Sequence, residues 1–240
     1  SRNLDFLRPN NLSQAVQIAD NKLLTKEVLK KAELPAPKTF AVIANKRELK
    51  KFDPGLLPDS FVLKPNRGFG GEGILIAYNR KKNGSWLDSD QNELAWLDVK
   101  AHIQDILDGR FSLSDIPDVA FFEERIKRDS FFKIIAYRGL PDIRVIVYNK
   151  IPIMAMLRLP TQQSHGKANL HLGGIGVGLD IGTGQTTYAI CRDEIIYGLP
   201  LSFDQNKIVL GKRFANFKIP DWPEILELQL NRKSLRVLVI

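Results

Sequence analysis

Cysteine is almost missing from these 240 residues. Cys191 stands alone, so no disulfide can close within the chain, and this usage fits a reducing, cytoplasmic setting. Histidine is nearly as scarce. With only His102, His165 and His171 beside one thiol, a tetrahedral structural zinc site has too few ligands. No apolar run approaches the roughly eighteen residues that a membrane-crossing helix needs, so no membrane partner is expected. The start, Ser1-Arg2-Asn3-Leu4-Asp5, has neither an initiator methionine nor the apolar core of a secretion signal, and is expected to be a cut end. Internal repeats and low-complexity tracts are also lacking.

What is present is an ordinary globular composition, 44% hydrophobic and 26% charged, with 35 basic against 27 acidic residues and a net charge of +8. Such an excess can attract nucleic acid, acidic membranes or a polyphosphate. The basic groups are scattered (Lys46-Arg47, Lys50-Lys51, Arg80-Lys81-Lys82) over expected turns and helix surfaces, which is how solvated faces read. No base-reading motif accompanies them, so nucleic acid is not an expected partner.

The element pattern is mixed. Asn21 to Ala32 reads as a helix with Leu24, Val28 and Ala32 on one stripe, stopped by Pro35 and Pro37. A short strand over Thr39–Ile43 and a basic helix over Lys46–Phe52 follow. Phe61-Val62-Leu63 and Ile74-Leu75-Ile76 are strand-like, and Asn83-Gly84 signals a turn. Glu93–Leu107 has apolar residues at Val99, Ile103, Ile106 and Leu107, the i, i+4, i+7, i+8 spacing of a buried helix face. Further on, Val119–Phe122, Ile143–Tyr148, Ile151–Leu159 and Thr186–Ile190 are strand-like, with Asn149-Lys150 as a hairpin turn. Asp221-Trp222-Pro223-Glu224 is a helix-start signal, with Asp as N-cap and Pro in the first turn. The class is α+β, with a boundary expected near residue 128.

The densest chemistry lies in Leu63-Lys64-Pro65-Asn66-Arg67-Gly68-Phe69-Gly70-Gly71-Glu72-Gly73-Ile74. Gly68, Gly70 and Gly73 fit G-x-G-x-x-G, but a dinucleotide fingerprint runs into a helix whose N-terminus holds the pyrophosphate. This loop runs into a β-type segment instead. A P-loop needs Lys and Ser/Thr after its last glycine, and Ile74-Leu75 stand there. A glycine-rich loop held between two strands is another way to close backbone N–H groups over an anion. Protein kinases use it, but their H-R-D and D-F-G motifs are missing. Lys64, on the preceding strand, can supply a point charge to a phosphate or to the base. The bland competitor is a flexible hairpin with a buried-stem lysine.

With these features the chain resembles the ATP-grasp superfamily, and within it the alpha-L-glutamate ligase-like (RimK-type) proteins, from about Asn3 to Leu228. The resemblance rests on Asp20-Asn21-Lys22-Leu23-Leu24-Thr25-Lys26, Leu34-Pro35-Ala36-Pro37-Lys38-Thr39, the glycine-rich loop, Phe122-Glu123-Glu124-Arg125-Ile126 and Pro141-Asp142-Ile143-Arg144-Val145. It continues through Ala155-Met156-Leu157-Arg158-Leu159-Pro160-Thr161 and Gly166-Lys167-Ala168-Asn169-Leu170-His171-Leu172-Gly173-Gly174. It implies an ATP-grasp fold of two lobes, each with an antiparallel sheet and helices. Residues 1–20 would be the remnant of a preceding segment, 21–128 the first lobe, and 129–240 an incomplete second lobe.

The resemblance also implies roles. Lys22 is placed as the first phosphate-contacting lysine, and Lys64 as the one reaching the α-phosphate and adenine, beneath a loop formed by Gly68, Gly70, Gly71 and Gly73. Glu123, Glu124 and Ile126 belong to the hinge that reads the adenine edge, with Glu123 taking its amino group and Asp129 reaching the ribose. Arg158 would meet the γ-phosphate or the acyl phosphate made from it, and Lys167, Asn169 and His171 would line the catalytic end. Simpler readings stand beside these. Lys22 also reads as an exposed helix-start lysine and Glu123-Glu124 as a polar strand end, while His171 reads equally as a packed loop residue. Asp142 and Arg144, on one side of a strand, form a structural ion pair or touch substrate, and Asp180 reads as a turn residue.

The function so implied is an ATP-dependent carboxylate–amine ligase working through an acyl phosphate, with ATP and Mg²⁺ and small-molecule or peptide substrates. The alternatives are another ATP-grasp activity, a kinase or one associated with sugar transfer, or a nucleotide-binding remnant without catalysis. The family's metal-holding Asp and E-x-N triad do not occur up to Ile240, so the magnesium ligands are expected beyond it. Gln229–Ile240 departs from the family pattern. One permitted back-translation, shifted by two nucleotides, encodes a family-like helix end, which makes a frameshift at this point the expectation.

Overall fold

The computed structural model describes residues 4–5, 8–68, 70–133, 135–148, 151–164, 166–191, 194–196, 199–204, 207–212 and 217–230. Several sequence readings lie outside these residues: the cut end at Ser1-Arg2-Asn3, Phe69 of the glycine-rich loop, the Asn149-Lys150 turn, His165, and the tail from Asn231.

In chain order the elements are α1 (Arg8–Asn10), α2 (Ser13–Asp20), α3 (Lys22–Lys31), β1 (Thr39–Ile43), α4 (Lys46–Lys51), β2 (Phe61–Pro65), β3 (Leu75–Ala77), β4 (Trp86–Leu87), β5 (Glu93–Leu94), α5 (Trp96–Leu107) and β6 (Ala120–Glu123). There follow β7 (Asp142–Tyr148), β8 (Ile151–Leu159), β9 (Ile175–Leu179), β10 (Thr186–Cys191), β11 (Glu194–Ile196), β12 (Leu199–Asp204), β13 (Lys207–Lys212) and α6 (Trp222–Leu230). They divide into two compact units. One is Val16–Ile126; the other joins Ser1–Ala15 to Lys127–Ile240. No helix among the described residues is long and apolar enough to cross a membrane.

The Val16–Ile126 unit is built on an antiparallel sheet of order β1-β6-β2-β3. Strand alternation divides its residues between two faces. Phe61 and Leu63 of β2 and Ala120 and Phe122 of β6 face a core shared with Val99, Ile103, Ile106 and Leu107 of α5. Phe61 sits edge-on to Trp86 and Phe122, with ring centroids 5.3 and 5.1 Å away. The opposite face carries Lys64 and Glu123. With Lys64 opposite Phe121 and Val62 opposite Glu123, the two charged residues are diagonal neighbours.

Local chemistry sets the helix limits. Asn21 caps α3 by accepting from the Leu24 N–H at 2.8 Å, as the Asn-before-helix pattern suggests. The expectation that a helix begins at Glu93 is corrected: α5 begins at Trp96. Asp98 supplies the start by accepting the Ala95 N–H at 2.9 Å. The Glu93 carboxylate is instead taken by Lys81 (2.5 Å), Asn83 (2.7 Å) and Ser85 (2.7 Å), which fixes β5 against β4.

The other unit carries an antiparallel sheet of order β11-β10-β9-β8-β7 and a separate β12-β13 pair. One face, with Ala155, Leu157, Leu159, Ile175, Val177 and Ala189, packs with Ile135, Ile219 and Trp222 into a core. Trp222, at the start of α6, donates its indole N–H to the Ile181 carbonyl at 2.8 Å. β7 and β8 pair with Tyr148 opposite Ile151 and Asp142 opposite Arg158.

Candidate functional site

In the Val16–Ile126 unit, charge gathers on the sheet face turned away from the core. Lys22 and Lys26 lie one helical turn apart on α3, so they share a face. Lys64 comes from β2 and Glu123 from the end of β6. The Glu123 side chain is 5% exposed. One of its oxygens, Oε2, takes the Lys26 ammonium at 2.9 Å, and the other, Oε1, takes that of Lys64. Lys26 also donates to the Pro37 carbonyl. A buried carboxylate without partners would be costly, and two ammonium groups account for its place here.

Lys22 holds the start of the glycine-rich loop. Its ammonium donates to the carbonyls of Asn66 (3.1 Å) and Gly68 (2.9 Å). Asn66 is buried, with its side-chain oxygen on the Leu23 N–H and its own N–H on the Val119 carbonyl, both at 2.9 Å. The Arg67 N–H donates to the buried Asp118 carboxylate at 2.7 Å. Burial holds the pKa of Lys22 below the usual lysine value, and the like charge of Lys64 adds to this; Asp118, Glu123 and Asp20 oppose it.

The loop's far end is held as well. His102 Nε2 lies 2.8 Å from the Gly73 carbonyl, and a Cβ on Gly73 would stand 2.6 Å from the Phe111 ring. Gly70, Gly71 and Gly73 have φ of 62°, 79° and 69°, a region that favours glycine. Between the two anchors the loop is rich in bare backbone, and three ammonium groups against the two carboxylates of Glu123 and Asp118 leave the site net positive. That combination fits a polyphosphate.

The remaining hinge residues are more open. Glu124 exchanges contacts with Lys38: its N–H donates to the Lys38 carbonyl at 2.8 Å, and its Oε2 accepts the Lys38 N–H at 3.3 Å. Ile126 is exposed. Arg125 lays its guanidinium over the Tyr78 ring, 4.8 Å from the centroid.

In the second unit, Arg158 forms a two-pronged pair with Asp142, Nε to Oδ1 at 2.6 Å and Nη2 to Oδ2 at 2.5 Å. The reading of Asp142 and Arg144 as an ion pair is therefore corrected. Cross-strand register sets Asp142 opposite Arg158 and Arg144 opposite Met156, and Arg144 is exposed. Lys167, Asn169 and His171 lie in the loop between β8 and β9. A buried hydroxyl pair shapes that loop: Ser164 Oγ accepts the Thr161 N–H at 2.9 Å and donates to the Thr161 carbonyl, while Thr161 Oγ1 donates to the Gly173 carbonyl at 2.8 Å. The Asn169 carbonyl accepts the N–H groups of Leu172 and Gly174. Lys167 and His171 are exposed. Asp129 caps its own turn by accepting the Phe131 N–H at 2.7 Å, and Asp180 is a turn residue bound to Thr183.

Among the described residues no three His, Cys, Asp or Glu side chains gather as a metal site requires. Glu123, Asp118, Asp142 and Asp180 are each engaged as above, and no step is derived through magnesium.

Sequence reasoning missed Lys26, Asn66 and Asp118. The Lys22/Lys26 spacing was a usable signal for the first. Asn66 and Asp118 act through backbone partners far along the chain, which no local pattern reveals.

The family model for sugar-transfer associated ATP-grasp matches residues 1–238, a span that continues past Leu228. None of the curated proteins compared matches the chain. Among solved structures, a D-alanine-D-alanine ligase from Helicobacter pylori is similar with a TM-score of 0.38 and 13% identity, over 93% of this chain and 60% of that one. This chain thus spans less than two thirds of that ligase's length.

Proposed function

The chain belongs to the sugar-transfer associated ATP-grasp family, and from that premise we propose that it is an ATP-dependent ligase joining a carboxylate to an amine. The observation that carries the nucleotide half is the buried Glu123 paired with Lys26 and Lys64, together with Lys22 on the carbonyls of a doubly anchored glycine-rich loop. ATP would take Lys22 and Lys64 at its phosphates, with loop N–H groups beside them, and Glu123 at the adenine amino group.

The chemical half follows from what a carboxylate needs. Its oxygen leaves poorly, so it must be activated. The carboxylate oxygen bonds to the γ-phosphorus as the bond to the β–γ bridging oxygen breaks, and ADP departs. The amine nitrogen then bonds to the acyl carbon, the carbon–oxygen bond to phosphate breaks, inorganic phosphate leaves and the nitrogen gives a proton to solvent. Negative charge moves in both steps, and preorganised cations and N–H groups stabilise it. Arg158 suits this role. Asp142 takes the Nε edge and one terminal nitrogen, which fixes the guanidinium plane and leaves other N–H donors for an oxyanion. Lys167, Asn169 and His171 are assigned to the reacting end by resemblance to the glutamate ligase-like group.

The family's description favours a second reading, an ATP-grasp activity associated with sugar transfer, and a kinase is the remaining alternative. Product analysis separates them. An amide formed with stoichiometric ADP and phosphate supports ligation; a stable phosphorylated product without amide overturns it.

A further inference from the structure

We propose that Asn66 is a phosphate-contacting residue of the nucleotide site: its side-chain oxygen is taken by α3, which leaves its amide nitrogen, Nδ2, to donate to a phosphate oxygen of the bound nucleotide. This inference rests on the ATP reading above.

Asn66 directly follows β2. Its N–H donates to the Val119 carbonyl at 2.9 Å, which carries the β2–β6 ladder one residue past Pro65. Side chains two residues apart on a strand share a face, so Asn66 lies on the Lys64 side of the sheet, turned away from the core. The start of α3 meets it there. The Leu23 N–H donates to Oδ1 at 2.9 Å, and the backbone N–H and ammonium of Lys22 donate to the Asn66 carbonyl at 3.3 and 3.1 Å. The amide cannot be turned over, because that would set a donor against the Leu23 N–H. Oδ1 is therefore fixed on α3, and Nδ2 faces the other way.

Nδ2 is the one polar atom of Asn66 left over. Among the described residues nothing accepts from it. Among the same residues the only partnerless side-chain atom sealed from solvent is Arg125 Nε, so Nδ2 keeps part of the small surface of a residue that is 5% exposed. A residue that merely tied α3 to the root of the loop would need Oδ1 alone. Whatever meets Nδ2 must accept hydrogen bonds, and the neighbours set its charge. The Lys22 ammonium lies on the Asn66 and Gly68 carbonyls, Lys64 shares the face, and Asp118 is taken up by the Arg67 N–H. A phosphate oxygen satisfies both demands. An ammonium attracts it as a point charge with rotatable donors, whereas the planar amide, held at Oδ1, offers its N–H bonds in a fixed direction. Asn66 thus orients the phosphate that Lys22 and Lys64 attract.

The test is nuclear magnetic resonance of the isotope-labelled full chain, with the Asn66 side-chain amide assigned through bonds, titrated with ATP, inorganic tripolyphosphate and adenosine. The amide protons are expected to shift and to exchange more slowly with ATP and with tripolyphosphate, and to stay in place with adenosine. Asn66→Asp keeps an oxygen for the Leu23 N–H and loses both donors. It should fold as wild type does and bind ATP about ten- to a hundredfold more weakly, the loss of a hydrogen bond to a charged group. Salt screens the charge this variant adds, so the loss should persist at about 0.5 M NaCl against wild type in the same salt. Wild type that binds ATP with the amide unmoved, or moved equally by adenosine, overturns the proposal and leaves the nucleotide reading standing. So does Asn66→Asp binding ATP as tightly as wild type. Wild type that binds neither ATP nor tripolyphosphate overturns the nucleotide reading, and the proposal with it. If Asn66→Asp does not fold, the amide response of wild type decides alone.

Discussion

The glycine-rich loop makes a quantitative prediction because two of its glycines share a backbone conformation and differ in surroundings. Gly70 has φ 62°, and a methyl group placed on its Cα would meet nothing within 4 Å; Gly73 has φ 69°, but its Cβ would lie 2.6 Å from two Phe111 ring atoms. An alanine in the left-handed region costs about 1–2 kcal/mol, and this applies equally to Gly70→Ala and Gly73→Ala. Only Gly73→Ala adds a collision with an aromatic ring packed against the core, an overpacking cost of about 1–3 kcal/mol. It also displaces the carbonyl that meets His102 at 2.8 Å, about 1 kcal/mol more. Gly70→Ala should therefore lose about 1–2 kcal/mol and Gly73→Ala about 3–6 kcal/mol. Urea melts followed by tryptophan fluorescence measure the difference, and Phe111→Ala in the Gly73→Ala background should recover part of it. Equal losses for the two alanines, or no recovery, would refute the packing argument.

Two further perturbations probe other parts of the account. Burial lowers the folded pKa of Lys22 beneath its unfolded value of 10.5, so the unfolded chain binds that proton more tightly. Stability should therefore rise with pH between the folded pKa and 10.5, with the full penalty present below that window. The melting temperature of wild type from about pH 8 to 10 should climb more steeply than that of Lys22→Met, and parallel slopes would contradict the burial of this ammonium. In the second unit, Ser164→Ala removes a buried hydroxyl that both accepts from and donates to Thr161, leaving the Thr161 N–H unmet at about 1–3 kcal/mol. Because the same pair shapes the loop bearing Lys167, Asn169 and His171, any ATP-driven turnover should fall more than stability does.

Much of the framework was legible because it is written in local chemistry. Asn21 announces α3, the period of Val99, Ile103, Ile106 and Leu107 announces α5, and β1 spans the residues its composition suggested. The flanking strands of the glycine-rich loop were readable for the same reason, and they decided against the dinucleotide and P-loop readings. What was not legible is partner choice across the chain. Nothing near Glu93 tells that its carboxylate goes to Lys81, Asn83 and Ser85 rather than to a helix start. Same-strand proximity suggested Asp142 with Arg144, whereas cross-strand register delivers Arg158. Lys26 ends the Asp20–Lys26 motif, yet its use depends on β6 bringing Glu123, far along the chain, beneath α3.

The central claim is that the Val16–Ile126 unit holds ATP through Lys22, Lys64 and the loop. A thermal shift with ATP, with and without Mg²⁺, on the wild-type chain and on Lys64→Ala tests it most directly. Lys64→Ala leaves Glu123 paired with Lys26, so the variant should fold. Ligand at about a hundredfold excess over Kd stabilises by about 2.7 kcal/mol, which should appear as a rise of several degrees in wild type and a much smaller one in Lys64→Ala at the same ATP concentration. No ATP-dependent rise in wild type, or an equal rise in both, would contradict the account.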